Sequence, residues 1–166
     1  LIVPSVNSEE DAKNIVNWIK YPPEGSRGVG LARAQGYGFN FEEYSNNFNN
    51  DVIIIAQIEH KDAIKNLEKI LGTAGINGSI IGPYDLSGSI GKPGQFDNPK
   101  VKKLLEDYES IAKSFDKPMG YHVIKPDHKL VLDKINLGYK FISFSLDTLF
   151  LGSLCRNELN KIKNNI

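Results

Sequence analysis

The chain has 166 residues, 40% of them apolar, with 20 basic and 20 acidic side chains that sum to zero net charge. That length buries one real core, and the charge balance argues against nucleic acid or an anionic membrane as an electrostatic partner. No apolar run of about 18 residues marks a membrane span and no signal-peptide pattern opens the chain. The single cysteine, Cys155, excludes an internal disulfide and suits a reducing cytoplasm.

The chain starts "LIVPSVNS", and Leu1 to Val6 reads as a strand. Domains seldom begin mid-strand, so the expectation is the C-terminal piece of a longer chain. Ser8 is the expected N-cap of an amphipathic helix over residues 9 to 20, with acids in the first turn and Ala12, Ile15, Val16 and Ile19 at helical spacing. Trp18 in this helix reads as packing. Tyr21-Pro22-Pro23 ends the helix, since proline cannot extend the hydrogen-bond ladder. Residues 22 to 40 read as a long Gly-rich loop, and a loop of that length is usually functional or at an interface. It lacks the closing Gly-Lys-Ser/Thr of a nucleotide-binding P-loop. Its Arg27 and Arg33 are candidates for an anion or a neighbouring subunit, against a loop-structural role. Phe41 to Asn47 reads as a short helix.

Strand and helix then alternate. Val52 to Ile58, Gly78 to Ile81, Met119 to Ile124 and Phe141 to Leu146 read as strands. Lys61 to Leu71, Pro99 to Ser114, Pro126 to Leu137 and Leu149 to Ile162 read as helices. Asp147-Thr148 reads as the cap of the last helix, and Cys155 within it as core or interface. This alternation predicts an α/β fold with parallel pairing and right-handed crossovers, and a strand such as "VIIIA" suits a sheet covered on its faces. Five βα units fit a doubly wound sheet or part of a (β/α)8 barrel. A barrel needs about 250 residues, which agrees with a missing N-terminal third. Residues 1 to 166 read as one partial domain, with no internal repeat or boundary.

Functional groups of a parallel sheet sit just past the C-terminal ends of its strands. Those positions hold Gln57-Ile58-Glu59-His60, Gly82-Pro83-Tyr84-Asp85, His122-Val123-Ile124-Lys125 and Ser145-Leu146-Asp147-Thr148. Glu59 and Asp85 lie one βα unit apart, and neighbouring strands are about 4.8 Å apart. Two carboxylates at that distance repel unless a cation or proton joins them. Carboxylate-only ligation selects Mg2+ or Mn2+ over zinc, and two protein ligands leave room for water and a chelating 2-oxo acid. Gly82 permits close approach, and backbone N–H groups near Tyr84 and Asp85 can face a carboxylate. The plainer alternative is that Asp85 caps a following turn and Glu59 starts the next helix. Lys125 occupies a position open to a Schiff-base lysine or a solvated one.

"YPPEGSRGVG", "AQIEHKDAIKNLEKIL", "GSIIGPYDLSGSIGKPGQFDNPKV" and "GYKFISFSLDTLFL" together resemble the HpcH/HpaI aldolase family. These are metal-dependent class II pyruvate aldolases related to citrate lyase β subunits, and the motif order is kept over essentially the whole chain. The resemblance implies a (β/α)8 TIM barrel of which this chain covers about strands 4 to 8. It implies Glu59 and Asp85 as ligands of Mg2+ or Mn2+, and Gln57 facing bound pyruvate. Gly82 and the amides of Tyr84 and Asp85 would hold the pyruvate carboxylate, although the family often has a small residue where Tyr84 stands. His122 would line the pocket near the substrate methyl, against a plain core histidine.

The family's catalytic base, a His supported by an Asp, and its substrate Arg lie on earlier strands. No catalytic residue is therefore expected within these 166 residues, which alone should not be a competent aldolase. His60, next to a metal ligand, is expected to start the following helix rather than replace the base. The implied reaction is reversible cleavage of a 4-hydroxy-2-oxo acid to pyruvate and an aldehyde, by a cytoplasmic homo-oligomer that family analogy makes a hexamer. The alternatives are an acyl-CoA lyase of the citrate lyase β type, and a non-catalytic remnant or assembly subunit.

Overall fold

In the computed structural model, which describes residues 1–166, five parallel strands form one sheet in the order β1-β2-β3-β4-β5. They are β1 (Ile2–Val3), β2 (Ile55–Ile58), β3 (Gly78–Ile81), β4 (Met119–Val123) and β5 (Phe141–Phe144). Helix α1 (Glu9–Ile19), a 3-10 turn (Arg33–Gly38) and α2 (Phe41–Asp51) connect β1 to β2. Helices α3 (Lys61–Lys65) and α4 (Leu67–Gly72) lead to β3, α5 (Pro83–Gly88) and α6 (Pro99–Lys113) to β4, and α7 (His128–Asn136) to β5. Helix α8 (Asp147–Lys163) follows β5. A doubly wound sheet reverses its strand order at a switch point. Here the order is strictly sequential, and the sheet curls as a half-barrel. No helix is long and apolar enough to cross a membrane.

Alternation along the strands sorts the side chains. Ala56, Ile58, Ile81 and Met119 join a buried apolar cluster with Leu67, Ile70 and Leu71 of α4 and Tyr108 of α6. Gln57, between Ala56 and Ile58, points to the other face. Inside the core, Ser79 Oγ and Tyr108 Oη are hydrogen-bonded at 2.9 Å, and the Gly120 carbonyl accepts from Tyr108 at 3.4 Å. Burial pushes the Tyr108 hydroxyl well above the usual tyrosine range. It does the same to Tyr139, whose hydroxyl also donates to Glu109 at 2.9 Å. Tyr121 is pushed up to about 12, again chiefly by burial.

Several elements are shorter or differently cut than the sequence predicts, each for a local reason. β1 stops at Val3 because Pro4 has no N–H and Ser5 turns left-handed, with φ at 57°. The β2 ladder begins only at Ile55, and the Ile54 N–H donates instead to Asn77 Oδ1 at 2.8 Å. The expected helix over 61–71 breaks at Asn66, at φ −100° and ψ 5°, where the side-chain amide donates to the Asn7 carbonyl at 2.8 Å. β5 ends at Phe144, since Ser145 turns to φ 55° and its hydroxyl donates to the Ile124 carbonyl at 2.8 Å. Leu146, not Asp147, is the N-cap of α8, and Asp147 Oδ1 accepts from the Thr148 N–H at 2.7 Å. Trp18 is 64% exposed rather than packed, and Cys155 lies exposed on α8, outside the core.

Tyr108→Phe strands the Ser79 hydroxyl and is expected to lower the unfolding free energy by about 1–2 kcal/mol. Leu67→Ala, at a fully buried site, is expected to cost about 2–5 kcal/mol. Denaturant titration checks both. Tyr121 ionises near pH ~10 when unfolded and at about 12 when folded. The unfolded chain therefore loses that proton first. Its contribution to stability is complete below the unfolded value and is lost as pH rises through the folded one. Unfolding free energies measured across the alkaline range should fall in that window, and Tyr121→Phe should flatten the slope.

Candidate active site

The register of the sheet brings the strand ends level. Gln57 pairs with Ile80 and Ile58 with Ile81, Ile81 pairs with Tyr121, and His122 pairs with Ser143. One further bond, from the Gly82 N–H to the Ile58 carbonyl at 2.9 Å, carries β3 past its last ladder residue. Glu59, Gly82, His122 and Ser143 therefore lie along one C-terminal edge.

Glu59 is the most constrained group there. Its Oε1 accepts from the Ser5 N–H at 2.8 Å and the Ser5 hydroxyl at 3.1 Å, and its Oε2 accepts from Gln57 Nε2 at 2.6 Å. Three donors, two on Ser5 in the turn after β1 and one on Gln57 of β2, thus set the direction of one carboxylate. Gly82 is part of the same arrangement. A Cβ there would lie 3.1 Å from Glu59 Cβ, 3.2 Å from its Oε2 and 3.6 Å from Gln57 Nε2. The glycine is needed for the close approach, since its φ of −101° is open to any residue.

Asp85 follows in the first turn of α5, a helix that Pro83 opens at its first position. The N–H groups of Tyr84 and Asp85 fall in that turn, where no intrahelical carbonyl reaches them. Ser87 and Ser89 close the turn by donating to the Tyr84 and Leu86 carbonyls, each at 2.7 Å. The Tyr84 ring leans on Phe96 edge-to-face at 4.9 Å between centroids.

A cleft of about 160 Å³ opens at this edge, with Gln57, Gly82, Tyr84, Asp85, His122 and Ser143 among its walls. Five of the residues singled out in the sequence share it. Glu59 is not on its wall but abuts it through Gln57 and Gly82. His122 Nε2 is shielded from solvent and has no hydrogen-bond partner. No group of three or more His, Cys, Asp or Glu side chains gathers in the chain. Glu59 and Asp85 are the carboxylates at this edge, an all-oxygen donor pair.

The remaining candidates lie elsewhere. His60 is the N-cap of α3, its Nδ1 accepting from the Asp62 N–H at 3.2 Å. Lys125 is exposed and lines a neighbouring cavity of about 260 Å³, not the cleft. The Arg27 guanidinium lies 4.7 Å from the Tyr21 ring centroid and 4.5 Å from that of Phe48, pinning its loop to α2. Arg33 starts the 3-10 turn and is exposed. Two site residues escaped the sequence reading. Ser5 sits just past β1 as Glu59 sits past β2, so reading the first strand end as the others were read finds it. Ser143 lies inside the strand that the sequence predicts to Leu146, two residues past its observed end at Phe144.

The sequential parallel sheet and its polar C-terminal edge define the class, an α/β half-barrel. The chain belongs to the HpcH/HpaI aldolase/citrate lyase family, whose model matches residues 1–149. It is 33% identical over 165 residues to the 2-keto-3-deoxy-L-rhamnonate aldolase of Escherichia coli (strain K12), an alignment covering 98% of this chain and 61% of that protein. The HpcH/HpaI aldolase from Desulfitobacterium hafniense DCB-2 superposes with a TM-score of 0.84 at 29% identity, over 98% of this chain and 62% of that one. An HpcH/HpaI aldolase/citrate lyase family protein from Burkholderia cenocepacia J2315 gives 0.90 at 27% identity, over 98% and 64%. The chain thus spans a little under two thirds of the length of these relatives.

Gly82→Ala is expected to displace the Glu59 carboxylate while leaving the β2–β3 register intact. A crystal structure of the variant should show Glu59 turned away from Gln57, with an unfolding free energy within about 1 kcal/mol of wild type.

Proposed function

We propose that the full-length protein is a divalent-metal-dependent carbon–carbon lyase, a class II aldolase that reversibly cleaves a 4-hydroxy-2-oxo acid to pyruvate and an aldehyde. In this reading residues 1–166 are one partial domain, about strands 4 to 8 of an eight-stranded barrel. The observation that carries the proposal is the convergence of Gln57, Gly82, Tyr84, Asp85 and His122 on one cleft, with Glu59 oriented directly behind it. A relative named for a 2-keto acid substrate supports the substrate class.

Glu59 and Asp85 are the residues that would hold the ion. Their all-oxygen donor set suits Mg2+ or Mn2+, and the direction of Glu59 is already set by Ser5 and Gln57. When bound there, such an ion would supply Lewis-acid stabilisation for the negative charge that C–C cleavage places on the pyruvate fragment. The chain's own groups do the rest. The Tyr84 and Asp85 amides donate to the substrate carboxylate, as unpaired first-turn N–H groups can. Gly82 lets the substrate reach them, and Gln57, Tyr84 and His122 bound it. A base must take the proton of the 4-hydroxyl. His60 Nδ1 is engaged as a helix cap, so the base and the substrate Arg are assigned to residues outside 1–166. The exposed apolar side chains Leu151, Leu154 and Leu159 of α8 support a homo-oligomer, which we place in the cytoplasm.

Retro-aldol release of pyruvate by the full-length protein is expected to need Mg2+ or Mn2+ and to stop with chelator. Gln57→Leu, which removes a donor from a ligand, should weaken Mn2+ affinity about 10–100-fold. Chelator-resistant turnover, or inactivation by borohydride in the presence of pyruvate, would contradict the proposal and favour a Lys125 Schiff base. Turnover of malyl-CoA or citramalyl-CoA but not of free hydroxy-oxo acids would select the acyl-CoA lyase reading.

A further inference from the structure

We propose that a cavity on the helix side of β4 is a binding site for a single-ring aromatic carboxylate, held by Lys134 and Lys125. The cavity, of about 260 Å³, is distinct from the cleft. Side chains alternate along β4. His122 lines the cleft, while Tyr121 and Val123 stand on the other face, toward the core and α7. Pro83, Tyr84, His122 and Ile124 border both spaces and divide them. The site needs no metal and stands independently of the aldolase reading.

Lys134 is the group that calls for a partner. It lies one helical turn after Leu130 on α7, and both reach the cavity. The side chain is partly buried, and its ammonium sits 4.1 Å from the Tyr121 ring centroid. That ring covers one side of a group with three donors. Neither Lys134 nor Lys125 is in an ion pair, and no acidic residue lines the cavity. Lysines are rarely buried without a partner. Burial holds the Lys134 amine below the usual lysine range. Glu109 and Asp133 oppose that shift from outside the cavity. Glu109 is already engaged by the Tyr139 hydroxyl at 2.9 Å and by Lys113 at 4.0 Å. An entering carboxylate would supply the acceptors that the protein does not.

Walls and size narrow the ligand. Tyr84 and Phe96 form an edge-to-face pair at 4.9 Å between centroids, and with Tyr121 and Leu130 they offer aromatic and apolar surface. Such surface takes a flat ring in offset or T-shaped contact. The volume of about 260 Å³ equals the liquid share of about nine waters at ~30 Å³ each, room for one ring and one acid group. Lysine ammonium groups are point charges that meet a carboxylate without the fork geometry of arginine. A phosphate dianion suits the cavity less, because apolar walls leave its remaining oxygens without donors.

NMR titration of the full-length protein with benzoate, benzamide and inorganic phosphate tests the site. Benzoate is expected to bind about tenfold more tightly than benzamide, its neutral isostere, and to stay bound when pyruvate and Mn2+ are added. Lys134→Met, which keeps the stem and removes the charge, should weaken benzoate about tenfold. Leu130→Trp, which fills the cavity, should abolish its binding. If one variant fails to fold, the other carries the comparison. Absence of benzoate binding, equal binding of benzamide, phosphate binding as tight as that of benzoate, or wild-type affinity in every folded variant overturns the site. Displacement of benzoate by pyruvate with Mn2+ overturns it too, by placing the ring acid in the cleft. None of these results bears on whether retro-aldol turnover needs the metal, so the two readings fail separately.

Discussion

The backbone bond from the Gly82 N–H to the Ile58 carbonyl, 2.9 Å long, fixes the edge at which the candidate site residues gather. It extends the β2–β3 register one step beyond the ladder and sets Glu59 against a residue with no side chain. A Cβ there would press on the Glu59 side chain at 3.1–3.2 Å and touch the Gln57 amide at 3.6 Å. Pro83 then starts a helix at once, which places Asp85 in its first turn at the same edge. A one-residue slip between β2 and β3 would turn one strand's edge residues to the other face.

The rest of the molecule holds that edge in place. Ala56, Ile58 and Ile81 anchor the strands in the apolar cluster, and the Ser79–Tyr108 bond ties β3 to α6. The opposite face of the same strands carries Gln57, His122 and Ser143. Alternation thus divides one short sheet into a face that supplies stability and an edge that supplies polar groups. β1 has only two ladder residues, yet the turn after it delivers both Ser5 donors to Glu59.

Most of the architecture was legible in the sequence because the strands are short apolar runs and the helices carry one apolar stripe. β3 was read with its observed bounds, since Gly78 and Gly82 flank an uninterrupted run. Errors fell where a side chain overrides periodicity. The Asn66 amide bonds Asn7 and breaks a helix that reads as continuous, and Pro4 with Ser5 cuts β1 short. The turn of α5 was not foreseen as a helix, because only Pro83 and the back-bonding Ser87 and Ser89 announce it. The edge residues could be named from strand ends alone. Their mutual orientation could not, because it depends on Ser5, fifty-four positions before Glu59 in the chain.

The claim on which the functional reading turns is that Glu59 and Asp85 share one divalent ion. Mn2+ binding followed by the electron paramagnetic resonance of the free ion, in wild type, Glu59→Gln, Asp85→Asn and the double variant, tests it most directly. A shared ion predicts that either single change removes most of the affinity and that the double change adds little more, the non-additivity of two ligands on one centre. Wild-type affinity in both single variants, or small losses that simply add, would contradict it.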